Sequence, residues 1–432
     1  MKKLWNKSDK NSLHPAVEKY IAGTDHVFDL DLMPFDIQGS AAHAKGLQKI
    51  GILTSDEAKN ILSALAELEK LVESGKVEIA PADEDCHTVI ENYLTEKLGD
   101  TGKKIHTGRS RNDQILTAVR LYMKDNLKKL QAQCVELSST FLSLAEKYKE
   151  VPMPGYSHTK QAMLSSVGHY FAAFAESLVD DAEFAGYTAR YIDKSPLGSA
   201  AGFGVSIPLD REFTAKELGF ENTQTNSLYC QNSRGKFESV YAEALVQIML
   251  TLGKFANDML LFTSNEFDYF EVEDSLVTGS SIMPHKKNLD VFEILRGNVS
   301  VVISNQLLIK DLAKNLTSGY NRDGQLMKKP LIESTEVVLY SLEVTGLVIK
   351  GLTPKSESIE AKIDTGIFTV DIANELVLKQ GIPFRDAYKK AVELASDKKP
   401  DLKKNLESKV SLGAPGNLAL DKLRKRINKL RS

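Results

Sequence analysis

Cysteine is scarce: Cys86, Cys134 and Cys230 are the only three in 432 residues, odd in number and far apart. That excludes a disulfide framework and any paired-cysteine metal spacing, and it fits a reducing compartment. An excess of either charge is lacking too, since 55 basic residues face 58 acidic ones. So balanced a chain carries no electrostatic footprint for nucleic acid or for an anionic membrane. No run of about 18 uninterrupted apolar residues occurs, which excludes an obvious membrane span. The opening MKKLWNKSDKNS has lysines but no apolar run behind them, so it is not read as a signal peptide. A soluble, cytoplasmic protein is the resulting expectation.

Glycine and proline are both missing between Arg109 and Val151. Across that stretch Leu116, Val119, Met123, Leu127, Leu130, Leu137 and Leu144 recur at helical spacing. One continuous helix there would span about 60 Å at 1.5 Å per residue. Rods of that length belong to bundles, often oligomeric ones. The chain has room for two or three domains, and the pattern divides it at 1–108, 109–353 and 354–432. The first part is a small helical domain. In it Thr54 and Glu57 form a capping box ahead of Ile61, Leu65, Leu68 and Val72. The middle part carries the long helical patterns. The last is smaller and lysine-rich, with a helix, a glycine turn and a second helix. The fold class read from this is all-α, three mainly helical domains around a long-helix bundle, without strands.

Reactive residue types concentrate in DSLVTGSSIMPHKKNLDVFEILRGN, 274 to 298. Gly279 precedes the hydroxyls Ser280 and Ser281, and Pro284 precedes His285, Lys286 and Lys287. This is the composition of a mobile loop that binds carboxylate or phosphate. Asn288 can cap the helix that follows, and Glu293 reads equally well as an ordinary acid in its first turns, where the helix dipole favours it.

Other polar stretches interrupt the helices. In KKIHTGRSRNDQ, 103 to 114, Arg109 and Arg111 are planar donors suited to carboxylates, while Asn112 or Asp113 can cap the long helix. Capping and anion binding are compatible at a helix start. His87, ahead of Ile90 and Tyr93, reads first as a lone histidine at a helix start. PMPGYSHTKQAM, 152 to 163, presents Ser157 and His158 after two prolines and a glycine. SPLGSAAGFG, 195 to 204, permits close backbone approach or a loop of free amides. In SGYNRDGQLMKK, 318 to 329, Tyr320, Arg322, Gln325 and Lys328 make a polar set.

The run GSSIMPHKKN closely resembles the GSSxMPxKxN signature of the fumarase/aspartase superfamily, lyases that release fumarate from a succinyl skeleton. HTGRSRNDQ narrows the resemblance to the argininosuccinate lyase branch, with PGYSH, PLGSAAG and GYNRDGQ in that family's order over essentially the whole chain. The resemblance implies a bundle of long helices, a homotetramer with active sites shared between subunits, and the splitting of argininosuccinate into arginine and fumarate, with no cofactor and no metal. It implies that Ser280 is the base, that His158 pairs with Glu293 on the acid side, and that Lys286 and Asn288 hold the carboxylate with Ser281 and Ser157. Arg111 and Asn112 would bind the succinyl part, with His87 near the substrate. Asp29, Tyr320, Gln325 and Lys328 would receive the arginine part.

The sequence departs from the family's pattern in places. Asp25 stands where serine is usual, Thr159-Lys160 replace Leu-Gln after His158, Leu164 and Leu289 replace prolines, and the start lacks GGRF after Leu-Trp. Two other readings follow: a related C–N lyase acting on another N-succinyl compound, and an inactive structural homologue like the lens crystallins of this family.

Overall fold

The computed structural model describes residues 14–80, 83, 85–395 and 399–431. The amino-terminal stretch that lacks GGRF, and Pro81 of the loop before His87, lie outside them. The chain forms two compact units. The first comprises 1–129, 185–246 and 301–336, the second 130–184, 247–300 and 337–432. The division falls inside five of the long helices, and each unit is described by itself.

In the first unit the capping box forms as expected: Glu57 N–H donates to Thr54 Oγ1 at 3.2 Å, and Thr54 N–H donates to Glu57 Oε2 at 3.0 Å. Two amides that the helix would leave unpaired are thereby satisfied. The helix Ser55–Glu73 then buries Ala58, Ile61, Ala64, Leu65 and Leu68 against Met33, Ile37, Leu47, Ile90 and Leu94. Each large side chain contributes roughly 1.5–3 kcal/mol by leaving water. Gly102 is required in this core, because a Cβ there would stand 2.2 Å from the Leu94 carbonyl oxygen.

The long glycine-free pattern is the helix Arg111–Lys147. Its cap is neither Asn112 nor Asp113 but Ser110. Asn112 N–H donates to Ser110 Oγ at 3.2 Å, and Ser110 N–H donates to Asp113 Oδ1 at 2.9 Å. The other Asp113 oxygen accepts the amides of Gly198 and Ala200 at 2.9 and 3.0 Å. The free amides expected of SPLGSAAG therefore close on a buried carboxylate at this helix start. Ala200 takes φ 51° and Gly198 φ 78° to aim them.

The second unit is held by aromatic packing. Phe255 meets the edges of Phe141 and Phe292 at centroid distances of 5.0 and 5.6 Å, and Tyr170 packs on Phe174 and Phe262. Edge-to-face contacts of this kind exceed simple area burial. Helices also run over Lys236–Phe262, Asp290–Ala313 and Lys328–Lys350. The strand-free reading needs one correction: short strands occur, foremost an antiparallel hairpin of Pro152–Ser157 with Lys160–Ser166. Prolines and glycine that argue against helix do not distinguish a loop from a hairpin. Near the end, Gly381 takes the left-handed conformation between Thr369–Gln380 and Phe384–Glu393, the expected glycine turn. All three cysteines are free and buried.

Candidate active site

The predicted residues fall into two groups, one in each unit. Asp29, His87, Arg111, Asn112, Tyr320, Gln325 and Lys328 lie in the first, whereas Ser157, His158, Ser280, Ser281, Lys286, Asn288 and Glu293 lie in the second.

In the first unit the helix Asp25–Lys49 places Asp25, Asp29 and Asp36 at intervals of four and seven, on one face. Lys328, only 6% exposed, donates to Asp25 at 2.6 Å and also to Asp29. Burial works against its charge, but Asp29 and Asp25 raise its pKa and keep it protonated. Burial also raises the Asp25 carboxyl, with Asp29 adding to the effect and Lys328 opposing it. Two acids thus share one lysine, a cluster able to receive both ends of an amino acid: cation for carboxylate, anion for ammonium. Gln325 donates to the carbonyls of Ile21 and Ala22 at 3.0 and 3.3 Å. Tyr320 lies beside the Arg234 guanidinium, 5.6 Å from its ring centroid.

His87 Nδ1 lies 2.7 Å from Asp36 Oδ2. Burial lowers the imidazole pKa, yet the Asp36 charge and hydrogen bond, with Asp85 and Asp29 behind, carry it above the ordinary value. The lone-histidine reading therefore gives way to a paired one. Arg111 donates to Asp85 and Thr88, both at 3.0 Å, while Asp85 caps His87's own helix. Asn112 sits in the first turn of the helix that begins at Arg111. Asp36 and Asp85 are positioning residues missed in the sequence, although acids on one face of the helix Asp25–Lys49 were a legible signal.

In the second unit the signature loop is closed at its base by Thr278 and Asn288, whose backbones exchange hydrogen bonds at 3.0 and 2.8 Å. Leu289, whose carbonyl accepts the Phe292 N–H, directly precedes the helix Asp290–Ala313, and Asn288 forms an isolated bridge with Thr278 one residue earlier. Ser280 is half-buried, and Ser281 to Lys287 are exposed. Ser280 Oγ accepts the N–H groups of Met283 at 3.1 Å and Ile282 at 3.4 Å. Two amides aimed at one hydroxyl oxygen favour its alkoxide, as donors favour any developing oxyanion.

Ser157 and His158 are exposed at the hairpin tip. His158 and Thr159 occupy the two-residue turn at φ 51° and 61°. Asparagine and glycine are the residues such a turn prefers, and a β-branched threonine there is strained. Within the described residues neither His158 nor Glu293 has a side-chain partner, so the pairing the resemblance implies is not made inside one chain. A cavity of about 1710 Å³ lies in the second unit between the hairpin and the carboxy-terminal helices. It is lined by none of the predicted residues.

A family model described as lyase matches residues 16–304. The chain is 45% identical to the argininosuccinate lyase of Thermotoga neapolitana, over 90% of this chain and 98% of that protein. It is 41% identical to that of Xanthomonas campestris pv. campestris, over 98% of each. Among solved structures it is similar to an EDDS lyase in complex with formate, with a TM-score of 0.82 at 21% identity over 98% of this chain and 91% of that one. A fumarate lyase:delta crystallin from Brucella melitensis bound to cobalt gives 0.73 at 20% identity, over 93% and 90%. At these identities the structures show a shared fold.

Proposed function

We infer that this chain, which belongs to the argininosuccinate lyase family of the fumarase/aspartase superfamily, splits argininosuccinate into L-arginine and fumarate by anti β-elimination. The observation that carries the reading is Ser280 Oγ facing the amides of Ile282 and Met283. A serine is a poor base in water and becomes a usable one only where its anion is stabilised. Ser280 takes the Cβ proton of the succinyl part. The electron pair passes into the adjacent carboxylate, whose growing negative charge Lys286 and Asn288 meet, with Ser281 and Ser157. The bond from Cα to the guanidino nitrogen then breaks, and His158, oriented by Glu293, supplies the proton side directly or through water. Arg111 and Asn112 grip the succinyl carboxylates, His87 stands beside them, and Asp29, Tyr320, Gln325 and Lys328 receive the arginine end.

The same reading keeps the three-part division at 1–108, 109–353 and 354–432 and a cytoplasmic place in arginine biosynthesis, as a homotetramer with shared active sites. What supports the assembly is the helix Asp290–Ala313, where Ile294, Val301 and Leu308 recur at seven and are 66%, 47% and 44% exposed. An apolar seam with that period suits helix against helix.

The test is fumarate release from argininosuccinate by purified chain, with adenylosuccinate, malate and aspartate in parallel. Rapid release from argininosuccinate alone is the expected result. Silence from an assembled tetramer, with turnover of another N-succinyl amine, sinks it.

A further inference from the structure

A thiol joins His87 and Asp36 in the buried core of the first unit, and the elimination chemistry has no use for it. Asp36 comes from the helix Asp25–Lys49; Cys86 and His87 come from the first turn of Cys86–Leu98. Cys86 Sγ lies 3.9 Å from Asp36 Oδ2 and 3.8 Å from His87 Nδ1, which are 2.7 Å from each other. Cys86, Asp36 and His87 are 0%, 2% and 5% exposed.

We propose that Asp36, Cys86 and His87 form an inhibitory binding site for a divalent metal ion of the zinc class. A tetrahedral ion with sulfur at about 2.3 Å and nitrogen and oxygen at about 2.0–2.1 Å holds the sulfur roughly 3.6 Å from each lighter ligand. The two sulfur edges already stand within a few tenths of an ångström of that. The remaining edge opens by roughly half an ångström, as two metal bonds replace one hydrogen bond. Sulfur with imidazole and carboxylate selects zinc-like ions over magnesium or calcium. Binding forms three dative bonds and releases the Cys86 thiol proton and the proton bridging His87 and Asp36, with water in the fourth position. No electron is transferred. Asp29 Oδ2 accepts the Cys86 N–H at 3.1 Å and holds the turn that presents the thiol. Sequence spacing could not show this site, because Asp36 is 51 residues from His87.

The effect on turnover rests on the proposed function: a metal on Nδ1 takes Asp36 from His87 and fixes the imidazole where substrate needs it free. The closing experiment uses chelator-treated full-length chain and Co²⁺ as the first probe. Native protein should show a thiolate-to-cobalt charge-transfer band saturating at one ion per chain. The band should vanish in Cys86→Ala and persist in Cys134→Ala and Cys230→Ala. Zn²⁺ should inhibit fumarate release reversibly by chelator, and Cys86→Ala should need at least about tenfold more zinc for half-inhibition, as expected when one ligand is lost. Cys86→Val, with circular dichroism of both variants, separates lost binding from lost folding. No band in native protein, or the same zinc inhibition in folded Cys86→Ala and Cys86→Val, overturns the proposal. Failure of the elimination reading registers separately, as metal-free native chain that is inert on argininosuccinate while the cobalt band still reads the site.

Discussion

Ser280 and Asp181 make opposite use of their surroundings. Ser280→Ala should lower turnover by orders of magnitude with helix content and assembly unchanged, since its hydroxyl touches only loop amides. Retained activity, measured as fumarate release, would remove it from the role of base. Asp181, in the helix Val167–Ile192, is buried with Oδ2 unpartnered, and burial lifts its pKa from 3.8 to about 6. Between those values the folded chain holds a proton that the unfolded chain has lost. Its stabilising contribution is therefore present below pH 3.8 and lost as pH rises through about 6. Asp181→Asn should accordingly stabilise the fold at pH 8 by roughly 1–3 kcal/mol, and little at pH 4. Denaturant midpoints at the two pH values check this, and an equal effect at both would place the cost elsewhere. The signature loop was legible as a motif because its reactive residue types fall in one short run. Asp36 was legible only as one of several acids on a helix face and Asp85 not at all, because a residue that positions another is defined by the folded neighbour it touches.

At the scale of elements, the exposed seam Ile294, Val301 and Leu308 belongs to a helix whose adjoining face is buried through Leu295, Val302 and Ile309, with Phe292 further round. If the proposed tetramer uses this seam, Val301→Lys with Leu308→Lys should break it into smaller species and lose activity, with the single chain still helical. Sedimentation together with circular dichroism would decide it, and an intact active tetramer would exclude this seam as an interface. The helices themselves were readable, because 3.6-residue periodicity and the Thr54–Glu57 box are local. The hairpin at 152–166 was not. Proline and glycine mark where helix stops, while strand pairing depends on a partner segment the local pattern does not name.

For the molecule as a whole, the predicted residues divide between two compact units, and His158 and Glu293 find no partner among the described residues of one chain. Co-expressing Ser280→Ala with Arg111→Met should yield mixed assemblies that recover part of the activity each variant lacks alone. If one chain supplied a whole site, mixing would restore nothing. The family was legible at this scale, since motifs in order suffice for it; the exposed seam was not, since a sequence pattern does not name which apolar face of a helix its own chain leaves uncovered.

The exposure of Ser281 to Lys287 has a practical side. None of those seven residues is buried, and a Cβ at Gly279 would meet no atom within 4 Å among the described residues. With the proposed chemistry in that loop, a mutational library scored by melting temperature or soluble yield would pass inactive loop variants as healthy, while rejecting Gly102 variants whose chemistry is untouched. For this protein, sorting by abundance and sorting by turnover would rank the same library in different orders.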